Sequence, residues 1–159
     1  MDLKKVSLLI EQFEQASLPK EQWTHTAHCI VALWYCIKFP LPQAAEKIRN
    51  GIKAYNVSIG GANTDTSGYH ETITLFYTTT IACYLATTGV TALTDEQIDL
   101  FLQQPFLERD HVFKMYSVEQ LMSKEARRSW TPPDDNAHFF HQPINAKSVS
   151  SRHGRPLAS

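Results

Sequence analysis

The sequence predicts an all-α, single-domain helical bundle with two charge-free central helices. Three observations carry this reading. The outer segments repeat apolar residues at three- and four-residue intervals, as in Leu3, Val6, Leu9, Ile10 and Phe13, with Lys4, Glu11 and Glu14 on the other side. Two long inner segments, between Glu21 and Lys38 and from Thr72 to Thr94, contain no Asp, Glu, Lys or Arg. Proline, glycine and capping residues fall between the segments. A helix with one apolar stripe covers a core, whereas one without charge on any face lies inside it. Two such inner helices wrapped by amphipathic ones make a small bundle.

The elements follow in order. Leu3 to Ala16 is an amphipathic surface helix, broken by Leu18-Pro19-Lys20. A second helix is expected from about Glu21 to Ile37, stopped by Phe39-Pro40-Leu41-Pro42 because the residue before a proline is biased away from helical geometry. A third runs from about Gln43 to Tyr55 and turns Ala44, Ala45, Ile48, Ile52 and Tyr55 inward and Glu46, Lys47, Arg49 and Lys53 outward. The segment Ser58 to Gly68 is a loop rich in glycine and in side chains that bond the local backbone. Ser67 or Thr66 is the expected cap of a fourth helix from about Tyr69 to Thr88, with Gly89 ending it. Thr94-Asp95-Glu96-Gln97 matches a capping box and starts a helix to about Gln104. Val118 to Arg127 suggests another, and residues 1–132 form the expected domain. The Ser-, Pro- and His-rich stretch 133–159 reads as an irregular tail.

Composition narrows function. Of 159 residues, 15 are Lys or Arg and 16 Asp or Glu, a formal net charge of -1, so no basic footprint for nucleic acid or an anionic membrane is expected. The hydroxyl-rich content of Thr72 to Thr94 argues against a membrane span, and no leader segment is evident. Cys29, Cys36 and Cys83 are odd in number and form no C-x-x-C pair, which fits a reducing cytoplasm. No P-loop, G-x-G-x-x-G, H-E-x-x-H or G-x-S-x-G occurs, so no nucleotide cofactor is indicated.

The residues that could carry chemistry are the histidines on the charge-free helices. In Trp23-Thr24-His25-Thr26-Ala27-His28, positions three apart share a helix face, so His25 and His28 can direct two imidazoles at one point. That face also carries Cys29, Ala32, Tyr35 and Cys36. On the fourth helix His70 aligns with Thr74, Tyr77 and Thr78, and Glu71 is the only acid between Asp65 and Asp95. Two or three histidines with one carboxylate recur as sites for Zn, Fe or Ni that leave a position open for water or substrate. The expectation is therefore a divalent metal held by His25, His28 and His70, with Glu71 as fourth ligand or as base and His70 close to the reacting atoms. Adjacent His70 and Glu71 diverge by about 100° on a helix, which strains that set.

A metal-free version uses the first turns of the two helices as an anion site, with the histidines as acid and base. Tyr69, Asn63 and Tyr35 are candidate ligand contacts, against their ordinary roles as core aromatics and loop fixers. Lys124, Arg127 and Arg128 form a basic cluster that could receive an acidic group. His138 and His141 repeat the three-residue spacing in the tail.

The blocks Trp23-Thr24-His25-Thr26-Ala27-His28 and Ser67-Gly68-Tyr69-His70-Glu71-Thr72, with Met115-Tyr116-Ser117 through Arg127-Arg128-Ser129-Trp130, resemble those of a family of small bacterial all-α proteins of unassigned function. The resemblance spans roughly residues 5–133. It implies that both histidine blocks belong to one design and supplies no substrate. The leading expectation is a metal-assisted small-molecule enzyme, compatible with a homo-oligomer. The competitors are a binding module for a small anionic metabolite and an interaction protein with structural histidines.

Overall fold

A computed structural model describes residues 1–134, and among these it contains helices and no strand. Helix α1 (Leu3–Glu14) is capped by Asp2, whose carboxylate accepts from Lys5 N–H at 2.8 Å, and buries Val6, Ile10 and Phe13. The chain then reverses through Ala16 and buries Leu18, whose carbonyl accepts the Tyr55 hydroxyl at 2.9 Å.

Helix α2 (His25–Lys38) starts later than its apolar run suggests. Thr24 Oγ1 accepts from Ala27 N–H at 3.2 Å and so defines the first turn, while Lys20–Gln22 form a separate 3-10 turn. Helix α3 (Leu41–Ser58) extends past the expected segment at both ends, since Pro42 sits in the first turn, where its missing N–H costs nothing. Gly51 at its centre is a packing device: a β-carbon there would lie 2.7 Å from the Phe13 ring.

Helix α4 (Glu71–Thr88) also begins later than expected, because His70 and not Ser67 or Thr66 is its cap. Its hydroxyls turn back on their own helix: Thr78, Thr80, Thr87 and Thr88 each donate to the carbonyl four residues earlier, at 2.7–2.9 Å. That is how a threonine-rich helix is buried without stranded polar groups. Gly89, at φ +69, ends it. Helix α5 (Asp95–Leu102) has the expected Thr94 cap and is tied to the chain start by Leu3 N–H to Asp95 at 2.7 Å.

After two 3-10 turns, Pro105–Leu107 and His111–Lys114, the single helix expected from Val118 to Arg127 is two. Ser117 caps α6 (Val118–Leu121) and Ser123 caps α7 (Lys124–Arg128), so the second serine interrupts the first helix. Thr72 Oγ1 donates to the Ser129 carbonyl at 2.9 Å and accepts from Thr131 N–H at 3.0 Å, fastening this segment to α4.

Helices α2 and α4 pack along each other, and α3 covers both. Ile30, Leu33, Ile48, Tyr55, Phe76 and Ile81 fill the centre of the bundle. Among the described residues no helix is long and apolar enough to cross a membrane. His138 and His141 lie outside the described residues.

Candidate functional site

A cavity of about 730 Å³ opens between α2 and α4. His25, His28, Cys29 and Ala32 form its α2 wall, and His70, Thr74, Tyr77 and Thr78 its α4 wall. Ile48 and Ile52 of α3 line it with hydrocarbon, while Arg109, Val112 and Phe113 approach from one side and Met122 and Arg127 from another.

His28 is held from two directions. Its Nδ1 donates to the Thr24 carbonyl at 2.8 Å, which assigns the proton to that nitrogen and leaves a lone pair on Nε2. Its ring lies 3.8 Å from the Trp23 ring, tilted by 32°, and Trp23 in turn stacks on Phe13 at 4.9 Å. Burial, with the nearby His25 acting the same way, takes its pKa down to about 4 against the Thr24 carbonyl, so the ring is neutral at pH 7. No other described residue partners Nε2.

His25 contacts the edge of Tyr77 at 4.7 Å between ring centres. Burial lowers its pKa; the Leu107 backbone opposes this and the Arg109 charge adds to it. Its Nε2 lies 3.6 Å from Cys29 Sγ. Burial pushes the Cys29 thiol up to about 12, so the pair is a neutral S–H donating to an imidazole and not a thiolate nucleophile.

His70 and Glu71 do not join α2's histidines as a ligand set. His70 Nδ1 accepts from Ile73 N–H at 3.3 Å and Nε2 donates to the Leu121 carbonyl at 2.8 Å. Both ring nitrogens are therefore used, one to cap α4 and one to hold α6, and neither is open to a metal. Glu71 is off the cavity wall. Arg49 grips it with Nε on Oε2 at 2.9 Å and Nη2 on Oε1 at 2.5 Å, and the Tyr69 hydroxyl donates to Oε2 at 2.8 Å. Burial would raise its pKa, but these donors win and hold it low, so it is a fixed carboxylate and a poor base. Among the described residues no group of three or more His, Cys, Asp and Glu could hold a metal ion.

The expected ligand contacts are also redistributed. Tyr69 reaches the cavity wall, with its hydroxyl committed to Glu71. Asn63 stays in the loop: its Nδ2 donates to the Lys53 carbonyl, and its Oδ1 accepts from Asn56 Nδ2 and Tyr69 N–H, at 2.9–3.1 Å. It is an organiser of the approach to α4, beside Gly68, whose φ of +76 no β-carbon would tolerate with the Ala62 carbonyl so close. Tyr35 is at the far end of α2, donating to Glu14 of α1 at 2.7 Å.

Among the polar and aromatic lining residues, Trp23 and Arg109 are not marked as site residues by the sequence, and the supporting Arg49 is read there as outward-facing; Arg127, from the basic cluster expected to receive an acidic group, reaches the wall. The signal for Arg49 was present: a lone acid in a charge-free helix requires a cation. Of the basic cluster, Arg128 pairs with Asp65, while Arg127 donates through Nη1 to the carbonyls of Gly68 and Tyr69, each at 3.1 Å.

No family model, curated protein or solved structure matches the chain. The site must be interpreted from its own chemistry.

Proposed function

We propose that this chain binds a small organic molecule in the cavity between α2 and α4, with His28 Nε2 accepting a hydrogen bond or proton from it. The observation that carries the reading is the state of His28: a neutral, half-buried, tautomer-fixed imidazole on a cavity wall, with its remaining lone pair unpartnered among the described residues. His70 has a partner for both nitrogens, and His111, whose Nδ1 is also unpartnered, is buried away from the cavity wall, so it is the position of the open His28 nitrogen on that wall that counts.

His25, one turn away and oriented by Cys29, is the second proton-handling group available to a ligand. This differs from the metal-free site expected from sequence, which used the first turns of both helices, in resting on the two histidines of α2 alone. The metal-assisted form would have to be built on His25 and His28 without His70 or Glu71, since those two are engaged elsewhere.

The test is a small-molecule screen read by thermal shift and by imidazole nitrogen chemical shifts, on wild type and His28→Asn, which keeps an N–H for the Thr24 carbonyl. Compounds that stabilise wild type, move the His28 Nε2 resonance and lose their effect in the variant are the expected result. Near-stoichiometric zinc, iron or nickel in untagged protein, lost in both His25→Ala and His28→Ala, would overturn it in favour of the metal-assisted enzyme.

A further inference from the structure

Both formally charged side chains on the cavity wall are cationic, Arg109 and Arg127, and no Asp or Glu lines it. The Arg109 carbonyl accepts from the Tyr77 hydroxyl at 2.9 Å, and its guanidinium has no ion-pair or hydrogen-bond partner among the described residues. Arg127 uses only Nη1, which leaves Nε and Nη2 of its fork available. Glu71 is paired with Arg49, Asp65 with Arg128 and Glu108 with Lys114; Asp110, unpaired among the described residues and acting on Tyr77, is the nearby acid that remains, and it does not line the cavity. Both charges act within the site, since Arg109 disfavours protonation of His25 and Arg127 that of His70.

At each helix start a cap already takes one of the free N–H groups. Thr24 already caps Ala27 N–H in α2 and His70 caps Ile73 N–H in α4. Recognition of an anion therefore falls to two guanidinium forks, which match a planar carboxylate better than a point charge does. The rest of the lining, Ile48, Ile52, Val112 and Phe113, is hydrocarbon suited to an apolar body.

We propose that the ligand is a small organic hydroxycarboxylate, its carboxylate at the Arg109 guanidinium, its hydroxyl donating to His28 Nε2 and its hydrocarbon body against α3. This rests on the reading of the cavity as a ligand site. A free inorganic anion would use the arginines and waste the apolar lining; a neutral molecule would do the reverse.

The experiment titrates the full chain with matched hydroxy acids and their primary amides, namely 3-hydroxybutanoate, 6-hydroxyhexanoate, mandelate and 3-phenyllactate with their amides, and with inorganic phosphate. Calorimetry gives affinity and backbone amide shifts locate the site. Wild type is compared with Arg109→Gln, which breaks no contact of the fold. The expected result is that at least one acid binds about tenfold or more tighter than its amide and than phosphate. Arg109→Gln should erase that preference and leave the amide's affinity and the melting temperature unchanged.

Equal affinity for acid and amide, or an equal loss of both in Arg109→Gln, would overturn the carboxylate and leave the cavity standing as a site for a neutral ligand. Phosphate binding more tightly than every acid would overturn it in favour of an inorganic anion. Shifts confined to residues away from the cavity, or no binding by any member, would overturn both readings together.

Discussion

At the start of α4, His70 has both ring nitrogens bonded and Glu71 has both oxygens bonded, all to this chain's own groups. At the start of α2, His28 is half-buried and also has its pKa lowered by burial, yet only one of its nitrogens is used. The two helix starts share a charge-free run downstream and a histidine near a cap. They differ in saturation. A polar group whose valences are filled internally is part of the fold, whereas one held rigid with a valence left over can meet something from outside. By that criterion α4 supplies the frame and α2 the working surface.

Acid breaks the comparison most strongly, because it acts on α2's histidine first. Unfolded, His28 takes up a proton near its ordinary pKa of 6.5; folded, only near about 4. Between these values the unfolded chain holds more protons, so stability falls as pH drops through that window, by about 3 kcal/mol from this ring alone. His25, His70 and His111 are shifted in the same direction and steepen the fall. Urea midpoints measured at neutral pH and near the lower end of the window should separate accordingly, and His28→Asn should flatten the difference.

Glu71→Leu attacks the frame. It strands the Arg49 guanidinium and the buried Tyr69 hydroxyl; because Arg49 is about one-third exposed and can turn to water, the loss is about 2 kcal/mol. Ligand affinity, corrected for the folded fraction, should not change, and a large loss of affinity would place Glu71 at the site after all. Gly51→Ala should cost about 1 kcal/mol by chemical denaturation despite alanine's better helix propensity, because the new methyl meets the Phe13 ring. Tyr35→Phe is the mildest: about 0.5 kcal/mol for the half-exposed hydrogen bond to Glu14, with binding untouched in the same titrations.

The frame was readable from sequence because burial on all sides leaves a compositional mark, and α2 and α4 carry it. The start of α4 was not, since histidine is not among the side chains that usually cap helices and only the fold presents Ile73 N–H to its Nδ1. Tyr35 shows a different limit. It shares the helix face of His25, but ten residues on, about 15 Å along the axis, a common face is no longer a common site. Arg109 lies in a stretch of 3-10 turns without a long period, so no pattern could aim it. Arg49 was assigned a face correctly for a helix alone; its partner lies on another helix that the pattern of α3 cannot contain.

The stack of Phe13, Trp23 and His28 equips the molecule with an optical gauge. Indole emission is quenched by a protonated imidazole in contact and much less by a neutral one, and at neutral pH His28 is neutral. Trp34 and Trp130 lie elsewhere, the first under the Lys38 ammonium and the second against Tyr116, and their signal can be subtracted with a Trp23→Phe variant. The brightness of Trp23 therefore reads the charge on His28 directly. Lowering the pH toward about 4 should charge that ring and dim the Trp23 signal, a readout that requires no label.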